Sequence, residues 1–332
     1  MRQLSRPSRR LRAVLFACGC AALAPQAHAS LVIAPTFSAA ITGDPNAAVI
    51  EATIDTAIDV YETDFSDPIT VSIAFSEMSS GLGTSSAFFA TVPYATYRNA
   101  LAADAKTAND AAAMALLPPS AVNPVTGSTA IDVKTANLRV VGIAANPPAG
   151  QPDGTVSVNT TLTNPGSAGS SSQFSLLAVT EHEIDEVLGL GSGLNSESTI
   201  FPEDLFRYAA SGTRSYASSP TADAYFSING TTDLAQFNNV ANGADFGDWA
   251  SNPLPPGVSP QVQDAFATPG STPTLGPNEL QALDVIGYDL TVTEPASIAL
   301  LGPALAGLIA YRRRTRRRNA PAPRMAGAST QH

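Results

Sequence analysis

The sequence predicts an α+β fold: a mixed sheet served by one central helix, then a loop-rich second half that closes on a terminal helix. Three observations predict it. Segments of apolar alternation fall in the first half of the chain, and one strongly patterned helix, Phe174 to Leu188, follows them. From Asn195 to Thr274 turn-forming residues dominate, until a helix begins at Pro277.

In chain order, Leu31-Val32-Ile33 with Thr36-Phe37 reads as an edge strand. Ala47 to Tyr61 places Val49, Ile50, Ile54, Ile58 and Val60 at roughly helical spacing, whereas Ile69 to Phe75 alternates with period two, as a half-buried strand does. Tyr94 to Leu117 is alanine-rich and predicts helix in two pieces, since alanine loses no side-chain entropy there. Leu138 to Ile143 and Gly154 to Asn159 predict further strands, and Asn164 to Ser172 a Gly/Ser loop. In Phe174 to Leu188, the residues Phe174, Leu177, Ile184, Val187 and Leu188 can face a core. Ala224 to Ile228 suits a hairpin arm. Pro277 fits a first helical turn, whose N–H groups have no partner within the helix, and Leu280, Leu283 and Ile286 share one face up to Ile286. No linker or internal repeat divides residues 30–291, so one domain is expected there.

The ends read differently. Five arginines and no acid occupy residues 1–12, an apolar run covers Ala13 to Ala24, and Ala27-His28-Ala29 supplies small residues before Ser30. These are the three parts of a secretory signal over 1–29. Leu15-Phe16-Ala17-Cys18 also approximates a lipobox, though the apolar stretch before it is very short. At the other end Glu294-Pro295-Ala296-Ser297 precedes an apolar stretch, Ile298 to Tyr311, and six arginines lie between Arg312 and Arg318. The span is shorter than the roughly twenty residues of an ordinary transmembrane helix. Basic residues after it favour a cytoplasmic end. This order over residues 292–318 resembles the PEP-CTERM sorting signal of Gram-negative bacteria. The resemblance implies recognition by an exosortase-type enzyme, a membrane contact through the C-terminal span and a destination at the cell surface or outside the cell; residues 319–332 are expected to be a disordered tail.

Of the 18 basic residues, five lie in the leader and seven after Tyr311, so the stretch between carries six against all 28 acids, a formal charge of −22. Such a surface repels nucleic acid and anionic headgroups, which removes nucleic acid as a partner. Both cysteines, Cys18 and Cys20, fall in the leader. The rest must therefore fold on core burial, with metal ions as the other available support.

The chemistry concentrates in Glu181-His182-Glu183-Ile184-Asp185-Glu186-Val187-Leu188-Gly189. On a helix His182 and Glu186 stand at i and i+4, one turn apart on one face, so both can grip one ion. Glu183 sits beside the first ligand, where a carboxylate can take a proton from an attacking water. Gly189 is expected to end the helix in a left-handed conformation. The segment resembles the H-E-x-x-H-x-x-G motif of zincin metallopeptidases, with Glu186 where that motif has its second histidine. The downstream half is similar to a family of PEP-CTERM-bearing predicted metallopeptidases, through three ordered blocks: Asp204-Leu205-Phe206-Arg207-Tyr208, Phe226-Ser227-Ile228-Asn229-Gly230 and Ala282 to Tyr288. The family's histidine-tryptophan ligand element corresponds here to Asp248-Trp249, with the only tryptophan of the chain. The metzincin ligand position falls on Ser192, a poor metal ligand.

The resemblance implies a zincin-like fold and an exported peptidase that cleaves protein or peptide substrates. His182, Glu186 and Asp248 would hold the ion, with Asp204 as an alternative third ligand, and Glu183 would be the general base. Two carboxylates in the ligand set widen the choice from Zn²⁺ to Mn²⁺ or Fe²⁺ and make a bound water less acidic. The alternative is a zincin-fold surface or matrix protein without catalysis that binds cations or a partner. Elsewhere, Asp204 and Arg207 are expected to form a buried structural pair, and Asp245 and Glu197 to be solvated. Tyr208 and Tyr225 could face a developing oxyanion, but core packing is the simpler expectation.

Overall fold

The first apolar run forms strand β1 (Val32–Phe37), a short helix α1 (Ala39–Thr42) follows it, and the helical spacing from Ala47 forms α2 (Ala47–Asp64), whose Ile50, Ile54, Ala57, Ile58 and Tyr61 are buried. The computed structural model describes residues 30–166, 170, 172–195, 199–241 and 243–291. The expected leader, sorting segment and tail lie outside the described residues, as does Glu197. Among the described residues no helix is long and apolar enough to cross a membrane.

Strand β2 (Thr70–Glu77) buries Val71, Ile73 and Phe75 on one face, as the alternation predicts. It is followed by β3 (Gly83–Ala87), β4 (Phe89–Pro93), α3 (Tyr94–Asp104), α4 (Ala108–Leu116), β5 (Ala130–Lys134), α5 (Thr135–Val140) and β6 (Gly154–Val158). The main sheet has the order β1-β2-β6-β3. β1, β2 and β6 are parallel, and β3 runs antiparallel along β6, so the sheet is mixed and β3 is its last strand. The pairs β7 (Thr163–Asn164) and β8 (Phe174–Ser175) then lead into α6 (Leu176–Leu188). α6 lies against β3, β6 and α2. Its Ile184, Val187 and Leu188 are fully buried. Each such side chain contributes about 1.5–3 kcal/mol, so core burial rather than surface pairing fixes the helix.

The second half is a smaller sheet, β9 (Arg207–Ala210), β10 (Thr213–Arg214), β11 (Tyr225–Phe226) and β12 (Ala235–Gln236), in the order β10-β9-β11-β12, followed by long loops and α7 (Pro277–Val285) with Pro277 in its first turn. β11 and β12 form the antiparallel pair expected near Ala224 to Ile228.

Two expectations are corrected. Leu138 to Ile143 is not a strand: Thr135–Val140 is α5, and the strand of this region is β5, paired with β4. Nearly all of α5 is buried, and an apolar run buried all round carries no periodicity with which to tell strand from helix. Gly189 caps α6 but has φ 163°, an extended value, not a left-handed one. A Cβ there would stand 2.7 Å from Ile286 Cδ1, so the absence of one lets that side chain pack directly on the cap.

Candidate metal centre

α6 is set at both ends. The Ser175 hydroxyl accepts the Ala178 N–H at 3.2 Å, and the Gly189 and Leu190 N–H groups both reach back to the Asp185 carbonyl at 3.0 Å. The Lys134 ammonium donates to the carbonyls of Glu186 and Leu190, placing a cation at the negative end of the helix.

Three side chains then meet at one point. His182 Nε2 lies 3.8 Å from Glu186 Oε1 on the next turn and 3.9 Å from Asp248 Oδ1 on a loop more than sixty residues away. All three candidate donor atoms fall within 4.8 Å of one another. Donors bonded to zinc at about 2.0–2.2 Å stand about 3.3–3.6 Å apart in a tetrahedron. Closing the His182 pairs onto one ion therefore takes movements of about half an ångström.

Each of the three has a partner that aims it. His182 Nδ1 is 2.9 Å from the Val262 carbonyl, which can only accept, so Nδ1 carries the proton and Nε2 is the free donor of the neutral ring. The Ser85 hydroxyl donates to Glu186 Oε2 at 2.5 Å, leaving Oε1 toward His182. Gln263 Nε2 donates to Asp248 Oδ1 at 3.0 Å. Outer partners of this kind distinguish a built ligand set from a chance gathering of acids.

The loop bearing Asp248 is held by packing. Trp249 is buried against Phe237 and Phe226, with ring centroids 5.1 and 5.7 Å away, and its indole N–H donates to Glu279 at 3.0 Å. Its backbone bonds to the Gln263 carbonyl, which brings in the segment that carries Val262 and Gln263. Gly247 meets the turn after α6 backbone to backbone: a Cβ there would lie 2.6 Å from Gly191 Cα.

The electrostatics follow from crowding carboxylates around one imidazole. Burial pushes His182 down, but Asp248, Glu183 and Glu186 outweigh it and lift it to about 10. A field that holds a proton this firmly attracts any cation, and a metal would take that proton's place. Burial, with Glu186 and Asp245 adding, pushes Asp248 up to about 8. Burial raises Glu186 too, yet His182, Lys134 and the Ser85 hydroxyl bring it below the ordinary range. Glu183 is raised well above it, by burial first, and shares a hydrogen bond with Glu186. Glu183 lies in the wall of a cavity of about 480 Å³ above α6, bounded also by Gly81 to Thr84 of the edge strand and its approach. At Gly83 any Cβ would collide with the Glu183 carboxylate and stand 2.8 Å from Val179 Cγ1.

Other residues singled out in the sequence fall elsewhere. The Asp204 carboxylate is taken by the Ser192 hydroxyl at 2.6 Å and the N–H groups of Gly193 and Phe201 at 2.9 Å, so it braces the turn after α6 and is no third ligand. Nor does it pair with Arg207, whose guanidinium donates to the Phe246 carbonyl and to Asn239 Oδ1 and covers the Phe237 ring at 4.5 Å. Arg207 is instead a clamp on the Asp248 loop. Asp245, expected to be solvated, is half-buried, lines the cavity and shares a hydrogen bond with Glu186. Tyr208 and Tyr225 stack on each other and do not line the cavity. Ser85, Gln263 and Lys134 carried no signal in the sequence. No family model, curated relative or solved structure matches the chain.

Proposed function

We infer that this chain is an exported, divalent-metal-dependent peptidase of zincin type. One observation carries the reading: His182, Glu186 and Asp248, drawn from a helix turn and a distant loop, converge with an aiming partner on each, beside the carboxylate of Glu183 in an open cavity. A divalent cation held by these three would polarise a scissile carbonyl and acidify a water, with two carboxylates offsetting its charge and favouring Mn²⁺ or Fe²⁺ alongside Zn²⁺.

The chain's own groups supply the rest. Glu183, next to His182 on α6 and in the wall of the cavity, is placed to accept the proton of the attacking water and return it to the leaving amine. Gly83 keeps the edge strand close over that carboxylate, since any larger residue would displace it. β3 is the last strand of the sheet, and the backbone on its outer side can pair with an extended polypeptide. A protein or peptide substrate lying along β3 would pass directly over Glu183. The leader over 1–29 and the PEP-CTERM-like segment over 292–318 support delivery to the cell surface with exosortase-type processing, and the charge of the intervening stretch suits an extracellular domain.

The test is metal analysis of the purified protein followed by casein digestion with and without Glu183→Gln. One equivalent of metal, and turnover reduced about 10²–10⁴-fold in the variant with the metal retained, is the expected result. Metal without turnover would assign the chain to the non-catalytic, cation-binding reading. Turnover unchanged by Glu183→Gln would remove Glu183 from the mechanism.

A further inference from the structure

The cavity over α6 is lined by five carboxylates, Glu183, Glu186, Asp245, Asp248 and Asp264, and by no lysine or arginine among the described residues. One dication bound by His182, Glu186 and Asp248 would balance two of them. Glu183 and Asp245 share hydrogen bonds with Glu186, which leaves Asp264 as the carboxyl group of this wall with no partner among the other acids, in a cleft whose single sign favours the opposite one.

Asp264 is the member that nothing yet described employs. It is 4% exposed; its Oδ2 accepts the Gln261 N–H at 3.0 Å, and its Oδ1 is buried with no hydrogen-bond partner. A buried carboxylate oxygen left without a donor costs about 1–3 kcal/mol, more when charged, so this one is poised to gain from an incoming cationic group. Burial pushes the group up to about 7, with Glu279 adding and the Gln261 N–H and His182 opposing. The remaining walls include Phe174, Ala178, Val179, Phe266 and Pro273. Apolar walls with a carboxylate among them suit the two-part chemistry of a long basic side chain, whose methylene stem packs while its head seeks an anion.

We propose that this cavity selects a polypeptide carrying lysine or arginine next to the bond held at the metal, and that Asp264 is the residue that determines this preference. The proposal rests on the peptidase reading for its substrate and adds the charge of that substrate. Acidic peptides are disfavoured by the same field.

Binding of labelled decapeptides that differ only in a central Lys, Arg, Leu or Glu tests it. The full-length protein carries Glu183→Gln, so that peptides are not consumed, and is loaded with Zn²⁺ or Mn²⁺; fluorescence anisotropy is the readout. The Lys and Arg peptides are expected to bind at least about tenfold tighter than the Leu and Glu peptides, the scale of one charge-assisted hydrogen bond. Asp264→Asn should bring the Lys peptide to within about threefold of Leu. Equal binding of Lys and Glu peptides, a preference that survives Asp264→Asn, or no binding of any peptide overturns the proposal. The preference is first read with Asp264 intact, so a misfolded Asp264 variant cannot shelter it. Casein turnover by the unmodified protein is judged separately. Turnover without charge preference defeats only this inference, whereas charge-selective binding without turnover defeats only the peptidase.

Discussion

Replacing Ser85 by alanine removes one hydroxyl from the edge strand and tests whether the acidic cluster is a metal site. The Ser85 hydroxyl donates at 2.5 Å to Glu186 Oε2, while Glu186 Oε1 faces His182 Nε2 at 3.8 Å. A hydrogen bond to a charged group is worth about 1.5–3 kcal/mol. Without it the carboxylate is free to rotate about its last torsion, and binding an ion must then pay to reorder it. Losing an outer partner of a metal ligand typically costs about 10–100-fold in affinity, or about 1.4–2.7 kcal/mol. Competition against a fluorescent chelator, with Zn²⁺ and Mn²⁺ in turn, should show the dissociation constant rising by that factor. The metal-free protein should lose no more than that hydrogen bond's worth of stability, a fall of about 3–12 °C in melting midpoint, because Ser85 is only half-buried and no cavity is made. Gln263→Ala, which removes the amide that positions Asp248 Oδ1 itself, should also weaken binding. An affinity within about twofold of the parent for both variants would show that Glu186 and Asp248 do not hold the ion through the oxygens assigned here.

Three further outcomes are expected. Gly247→Ala should destabilise the fold by about 1–3 kcal/mol, since its Cβ would meet the backbone of Gly191 at 2.6 Å and backbone cannot yield as a side chain can; chemical denaturation measures it, and a neutral result would mean the Asp248 loop is not seated on that turn. Chelation of divalent ions should lower the melting midpoint by about 5–10 °C, the equivalent of about 2.7 kcal/mol for a site loaded at a hundred times its dissociation constant; an unchanged midpoint would argue against any resident ion. Asp67, which is 1% exposed, is pushed up to about 7 by burial, with Asp289 and Asp104 adding to it. An unfolded aspartate titrates near 3.9, so between about pH 4 and 7 the folded chain keeps a proton that the unfolded chain releases, and stability falls as pH rises through that window. Asp67→Asn should flatten this decline, by at most about 4 kcal/mol at three units of displacement; urea midpoints from pH 4 to 8 would show it, and an unaltered slope would place the decline elsewhere.

What could be read from the chain follows from where periodicity survives. α2, β2 and α7 each turn one face to the core and another outward, so their apolar spacing is visible, whereas α6 is buried nearly all round and is told from a strand by its length. α5 is buried on nearly every side and reads as a strand. The edge strand β3 was invisible for a different reason: its half-buried positions are Gly83, Ser85 and Ala87, which face carboxylates and a crowded helix where a strand would usually present aliphatics. The helix triplet His182, Glu183 and Glu186 was legible because i and i+4 positions share a face. Asp248 was reachable only through its neighbour Trp249. Ser85, Gln263 and the Val262 carbonyl reach the site by tertiary contact alone, and local spacing cannot announce them. Asp245 looked like one more surface acid, and only the fold of the 237–249 loop brings it to Glu186.

Trp249 has a use beyond holding its loop. Being the chain's sole tryptophan, it gives an emission spectrum that reports on one place, with no background from other indoles. Its ring is shut away from water, its N–H is committed to a buried carboxylate, and the residue before it in the chain is a candidate ligand. A titration of cations excited at the red edge of protein absorption would therefore follow events at Asp248 with no added label, in the unmodified protein.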